Sequence, residues 1–143
     1  RGQGSSAAGH AAVVQVLEAQ GVPAGQGTDG SGLSSYNRQS PDAQVLLLHA
    51  AEQSAVSVTA FRRALPIACH DGTLKKRMCG TAAAGHLSAK TGTLPGVRAL
   101  SGYTRTASGR EVWFSFQLTG VRDGTQALDA MDRAAVVLAS AQE

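Results

Sequence analysis

Apolar residues recur along this chain in two rhythms, and the change from one to the other divides it. From Ala8 to Gln20 the positions Ala12, Val13, Val16 and Leu17 share one helical face. Ser5 or Ser6 stands where an N-cap belongs, and Gly21 suits the left-handed residue that ends a helix. Gly25 to Gly32 holds too many glycines for helix or strand, so it must turn or approach another surface closely. Ser40-Pro41-Asp42 then announces a second helix. Ser caps it, Pro suits its first position, Asp favours the dipole, and Val45, Leu46, Leu48 and His49 carry the period onward. Val58 to Leu65 reads as a short helix ended by Pro66, because Pro disfavours helix in the residue before it. Asp71-Gly72-Thr73-Leu74 begins another short helical piece, which carries Lys75, Lys76 and Arg77 outward and stops at Gly80.

After the small residues Thr81 to Gly85 the period becomes two. Three successive strands are predicted, about His86 to Thr91, Val97 to Thr106 and Glu111 to Leu118. In the last, Val112, Phe114, Phe116 and Leu118 alternate with Trp113, Ser115 and Gln117. Ala107-Ser108-Gly109 supplies a hairpin turn. A terminal amphipathic helix follows from about Thr125 to Ala141, with Ala127, Leu128, Met131, Ala135, Leu138 and Ala139 on its apolar face. This order predicts an α+β fold, an antiparallel sheet with helices packed on it.

Composition narrows the class. With 143 residues, 43% hydrophobic and 16% charged, the chain has the size of one domain and too much apolar content for a disordered tail. Seventeen Gly without a three-residue period exclude collagen. The longest uncharged apolar stretches, such as Ala134 to Ala139, fall far short of the roughly 20 residues that a transmembrane helix needs. The numbering opens at Arg1 without an initiator Met or an apolar leader, which predicts a processed product or a piece of something longer. A net charge of +3 invites a nucleic-acid reading, yet the Arg residues are scattered and the cluster Lys75-Lys76-Arg77 has no stacking aromatics, as a solvated helix face would look. Cys69 and Cys79 lack companions at zinc-site spacing, so no metal is expected. They are close enough in sequence to close a small loop, leaving a disulfide or two free thiols open according to compartment. The four His residues are scattered, and Ser31, Ser34 and Ser35 read first as loop hydrogen-bonding groups.

Chemistry concentrates at Lys90-Thr91-Gly92-Thr93, expected at the end of the first strand and followed by Leu94-Pro95-Gly96. Lys-Thr-Gly is one of three signatures of penicillin-recognising serine enzymes, and a weak one alone. On a strand, Lys90 and Gly92 project to one face and Thr91 and Thr93 to the other, and a twist or a bulge near Gly92 could bring them together. Three more blocks accompany it: Asp29-Gly-Ser-Gly-Leu-Ser34, Asp71-Gly-Thr-Leu74 and Leu100-Ser-Gly-Tyr103. In order and spacing the four resemble the D-alanyl-D-alanine carboxypeptidase/endopeptidase family of serine penicillin-binding proteins, low-molecular-mass class C, whose members carry inserted domains upstream. The resemblance runs from Gly4-Ser5 to the terminal helix.

That resemblance implies the C-terminal portion of a penicillin-binding-protein or serine beta-lactamase-like transpeptidase domain. No serine here has lysine three residues later, so the Ser-x-x-Lys nucleophile motif is absent. Ser35-Tyr36-Asn37 looks like the second signature, Ser-x-Asn, but it follows the Asp-Gly-Ser-Gly-Leu-Ser block, where the family's own precedes it. The nucleophile-bearing part and inserted domains are therefore expected before Arg1. Carried over, Lys90 lies beside the nucleophilic serine, Thr91 and Thr93 hydroxyls hold the substrate carboxylate, and the Thr93 N–H belongs to the oxyanion hole. A ligand strand lies along the Lys90 strand, with Gly92 giving it room. Leu33 and Leu94 wall the stem side chain. Ser35 stands where relatives often have Arg, with Arg38 three residues on, which points to a neutral, amidated or lysine-type stem unless a loop shift brings Arg38 in. The implied partners are peptidoglycan stem peptides, beta-lactam antibiotics and the N-terminal part of the same protein, in an exported, cell-wall or periplasmic setting without a cofactor. Cys69 and Cys79 then suit an extra disulfide. The rival reading is a catalytically inert module that binds peptidoglycan or, through its basic charge, nucleic acid.

Overall fold

Three consecutive strands, β1 (Leu87–Leu94), β2 (Val97–Arg105) and β3 (Glu111–Thr119), form one antiparallel sheet in the order β1-β2-β3. The computed structural model describes residues 4–53 and 58–142, so residues 1–3 of the predicted opening loop lie outside the described residues. Pairing runs unbroken from Leu87 opposite Thr104 to Leu94 opposite Val97. Of the twist or bulge that could gather Lys90 with the threonines, the bulge is absent, and β1 continues three residues beyond its expected end at Thr91. Pro95 and Gly96 make the turn into β2. Proline presets the first central residue, and Gly96 takes φ 70°, the combination of a type II turn. Arg98 clamps this turn by donating from Nη1 to the Leu94 and Val97 carbonyls at 2.9 and 2.8 Å.

Strict alternation gives the sheet two different faces. Leu87, Ala89, Leu100 and Phe114 face helix α4 (Gly124–Ala139), which buries Met131, Ala135 and Ala139 against them. Asp123 starts that helix, its carboxylate accepting from the Thr125 and Gln126 amides at 2.9 and 3.0 Å. Leu74, Leu87 and Leu100 are fully buried in this core, each stabilising the fold by roughly 2 kcal/mol. The opposite face carries Tyr103 and Trp113 and is covered by α2 (Pro41–Gln53), whose His49 meets the Trp113 ring edge-on at 5.2 Å. Ser40 caps α2 as its sequence predicts, accepting from the Ala43 amide at 3.1 Å. Between the strands, Gly102 is indispensable: a Cβ there would lie 2.0 Å from the Ser88 carbonyl oxygen, so any side chain would force β1 off β2.

The short helix α3 (Val58–Ala64) follows α2 and places Arg62 between Glu52 and Glu111, with its guanidinium 4.5 Å from the Tyr103 ring centre. Two expectations fail nearby. The piece after Asp71 is a single 3-10 turn, Gly72–Leu74, and the chain then proceeds to Gly80 through turns. Arg77 does not project outward with Lys75 and Lys76. Its Nε donates to Asp132 of α4 at 3.1 Å, and its side chain is only 16% exposed, because an anion on the neighbouring helix offers a better partner than solvent. Cys69 and Cys79 are joined by a disulfide that closes this segment.

The first helix, α1 (Ser6–Ala19), begins as expected at Ser5, whose Oγ accepts from the Ala8 amide at 3.1 Å. Its apolar face does not reach the core. Val13 and Val16 are 53% and 63% exposed, since no described element packs across them.

Candidate active site

The outer edge of β1 is half covered and half open. Residues Pro66 to Ala68 pair with its first part: Ala68 N–H donates to the Leu87 carbonyl at 2.9 Å, and Ala89 N–H donates to the Pro66 carbonyl at 3.0 Å. Outward-directed backbone groups recur every second residue, so those of Thr91 and Thr93 point to the same side as those of Leu87 and Ala89. Among the described residues no strand pairs with them. An extended ligand could add there through main-chain hydrogen bonds.

Lys90 and the two threonines flank this open edge from opposite faces. The Lys90 side chain is exposed and starts on the face that α2 covers further along; its Nζ reaches the edge and donates to the Thr91 carbonyl at 2.7 Å. Thr91 starts on the α4 face, and its Oγ1 donates to Thr73 Oγ1 at 3.1 Å. Thr93 is exposed beside it. With the register continuous and no bulge, the Lys90 ammonium lies at the outer rim beside the Thr91 carbonyl, while the Thr91 hydroxyl stays on the opposite face against Thr73. Gly92 opens space toward the neighbouring strand, since a Cβ there would sit 3.2 Å from the Ala99 Cβ. Leu94 is partly buried at the turn. An edge with unpaired N–H groups, two hydroxyls and a cation is equipped to hold a peptide ending in a carboxylate.

The glycine-rich loop is organised separately. Asp29 is its hub. The carboxylate accepts from Ser31 Oγ at 2.6 Å, Asn37 Nδ2 at 2.7 Å, the Ser34 amide at 3.1 Å and the Gly32 amide at 3.3 Å. Donation from Ser31 and then Asn37 holds its pKa down at about 2. Thr28 completes the web by donating to Ser34 Oγ at 2.7 Å. Ser31 and Ser34 are thus loop-building residues, and Leu33 and Ser35 are left exposed on the outside, Leu33 at 71%. Arg38 folds back onto its own loop and donates to the Ser35 and Asn37 carbonyls. No hydrogen bond or ion pair joins this loop to β1 among the described residues, so Leu33 and Ser35 are not gathered with Lys90 by polar contacts. A groove of about 510 Å³ between the loop and α1 is lined by Ser6, His10, Val13 and Asn37 among others, and by none of Lys90, Thr91 and Thr93. Among the described residues no three His, Cys, Asp or Glu side chains gather as metal ligands would.

Sequence reasoning missed Thr73 as a neighbour of Thr91 and Asp29 as the loop hub. The Asp-Gly-Ser-Gly string signals the second, because a short acidic side chain ahead of small residues accepts backbone N–H groups in tight turns. Nothing local signals the first, which arises from a contact between distant segments.

Comparison with known proteins agrees with this architecture. The chain is 43% identical over 116 residues to a D-alanyl-D-alanine carboxypeptidase from an Actinomadura species, covering 78% of the chain but 21% of that protein. It superposes on the crystal structure of penicillin binding protein 4 (dacB) from Haemophilus influenzae with a TM-score of 0.79 and 27% identity, over 93% of the chain and 32% of the other. A second structure of that protein, complexed with a beta-lactam, matches at a TM-score of 0.77 and 31% identity, over 84% of the chain and 28% of its own. The chain thus spans about a fifth to a third of the proteins it matches, in their C-terminal part, and shares the penicillin-binding-protein fold. The profile of the D-Ala-D-Ala carboxypeptidase 3 (S13) family matches residues 1–141, and the chain belongs to that family.

Proposed function

We propose that the open edge of β1 is one wall of the active site of a penicillin-sensitive serine DD-peptidase, completed by an upstream part of the same protein that bears the Ser-x-x-Lys and Ser-x-Asn motifs. One observation carries this reading: the outward N–H and C=O groups of Thr91 and Thr93 are free of strand pairing, with Lys90 Nζ at the same rim. The stem peptide adds to that edge as a short strand. Thr91 and Thr93 hydroxyls donate to its terminal carboxylate, and Lys90 favours that anion and the proton movements of the nucleophilic serine. The serine oxygen attacks the penultimate carbonyl, whose oxyanion receives the Thr93 N–H. The terminal D-alanine leaves with the proton, and water later cleaves the acyl ester. In the endopeptidase version the leaving amine belongs to a peptide cross-link. A beta-lactam enters the same way and remains as the acyl ester.

The Cys69–Cys79 disulfide supports an exported setting, because such bonds persist in oxidising compartments. Arg38, committed to its own loop carbonyls, supports a stem whose side chain is neutral, amidated or lysine-type. Comparing turnover of acidic and amidated stem peptides tests that point, and strong preference for the acidic form removes it. The central test is labelling by a fluorescent penicillin. The full-length protein labels, and Lys90→Ala lowers the acylation rate by at least about 100-fold with the melting temperature unchanged. A full-length protein that never labels gives the site to the rival reading, an inert peptidoglycan-binding or nucleic-acid-binding module.

A further inference from the structure

The free part of the β1 edge has a definite end. Residues Pro66 to Ala68 occupy the edge as far as Ala89, and immediately beyond them the chain turns back through the segment closed by Cys69–Cys79. At the tip of that segment the 3-10 turn Gly72–Leu74 sits against β1, anchored by the fully buried Leu74. The turn is further fixed by Cys69 N–H donating to the Leu74 carbonyl at 3.0 Å and by Asp71 Oδ1 accepting from Ile67 N–H at 2.7 Å. Gly72, at φ 48°, lies so close to Pro66 that a Cβ would approach its Cγ to 2.9 Å. Thr73, the residue of the turn with an exposed side chain, is thereby delivered to the Thr91 hydroxyl.

We infer that Thr73 is a positioning residue of the carboxylate subsite, acting through Thr91, and that the disulfide-closed segment exists in part to hold it there. The inference rests on the DD-peptidase reading of this edge. Its chemistry follows from what a hydroxyl can do. Thr91 Oγ1 carries one proton and two lone pairs; in the unliganded edge the proton goes to Thr73. When a carboxylate arrives, both hydroxyl hydrogens rotate. Thr73 then donates to Thr91, and Thr91 donates to the carboxylate, each bond polarising the next. Thr73 also selects the Thr91 rotamer before binding, so less freedom is lost when the ligand docks. Because Pro66 to Ala68 already fill the edge beyond this point, an added strand must end near Thr91, which suits a free chain terminus better than a continuing peptide.

The test compares full-length wild type, Thr73→Val, Thr73→Ser and Cys69→Ser/Cys79→Ser on a D-Ala-D-Ala peptide and on its C-terminal amide. Thr73 is exposed, so the isosteric valine leaves the fold intact. Thr73→Val is expected to raise KM for the carboxylate peptide about fivefold, the worth of one neutral hydrogen bond, leaving kcat and the amide unchanged. Preference for the carboxylate over the amide falls by the same factor, a change that general loosening of the fold would not produce. Thr73→Ser restores both values to within about twofold, since the hydroxyl is retained. Opening the disulfide shifts KM in the same direction and adds nothing further in the Thr73→Val background. Wild-type KM and preference in Thr73→Val overturn the inference, as does a Thr73→Ser enzyme as impaired as Thr73→Val. A wild-type protein that neither acylates nor turns over peptide overturns the DD-peptidase reading and this inference with it.

Discussion

The two ends of the chain are held together by opposite means. From Pro66 onward, order comes from apolar packing: Ala68, Leu74, Ala83, Leu87, Ala89, Leu100 and Ala135 are all fully buried, and α4 seals them against the sheet. Among residues 4–40 only Val22 is buried, and order comes from the carboxylate of Asp29 and the donors around it. The first region is a finished wall that fixes Lys90 and Thr91 to a rigid strand. The second keeps its loop in shape with exposed polar bonds while leaving Val13, Val16, Leu33 and Tyr36 in solvent. Apolar content therefore does not by itself report a core: the same residue types are sealed under α4 in one region and left in solvent in the other.

Removing a large apolar group should cost the two regions very different amounts of stability. Leu100→Ala should destabilise the fold by about 3 kcal/mol, and Val13→Ala by less than about 0.5 kcal/mol, in denaturant unfolding of this chain. Equal losses would mean that α1 packs as tightly as the sheet. A smaller effect is expected where the two regions' styles meet, at Arg62 between Glu52 and Glu111. Glu111 has its pKa lowered chiefly by the Arg62 hydrogen bonds. Its contribution is therefore complete above the ordinary carboxylate pKa and fades as the pH falls through the lowered value. Glu111→Gln should cost about 0.5–1 kcal/mol at pH 7, discounted for solvent at this partly exposed site, and the cost should shrink toward zero as the pH falls through the lowered value. A loss independent of pH would assign the effect to packing.

The smallest effect should be confined to the glycine-rich loop. Asp29 titrates at about 2 in the folded loop against an ordinary 3.8, so its order persists on acidification and is lost as the pH falls through 2. The Gly32 and Ser34 amide resonances should follow that titration while those of β2 stay still. Movement of both sets together would show that loop and sheet form one cooperative unit.

Much of this was legible in the sequence because the information was local. Ser5, Ser40, Pro41 and Gly21 mark helix ends through bonds reaching only a few residues, and the alternation in Glu111 to Leu118 is a property of a single strand. The four motif blocks pointed to the family for the same reason, each being a short local string, and the family match over residues 1–141 bears that out. What sequence periodicity could not supply was tertiary competition. Val13 and Val16 have a helix's spacing, but spacing names a face without naming what covers it. Arg77 sits in a basic cluster, yet Asp132, far along the chain, claims it. Sequence alternation ends β1 too early, at Thr91, because Thr-Gly-Thr alternates poorly, whereas the actual determinant is eight residues of continuous pairing with β2. The Thr73 contact depends on two segments meeting, so no window of sequence contains it.

The open edge of β1 also bears on solubility. Unpaired N–H and C=O groups invite edge-to-edge association of identical chains, the route by which sheet proteins aggregate. Here the invitation is short, since Pro66 to Ala68 occupy the first half, and a lysine stands at the start of what remains. Charges at the rim of a free edge oppose stacking of like upon like. Lys90 therefore guards the strand it equips, and replacing it with an apolar residue would expose the chain to self-association whatever became of its chemistry.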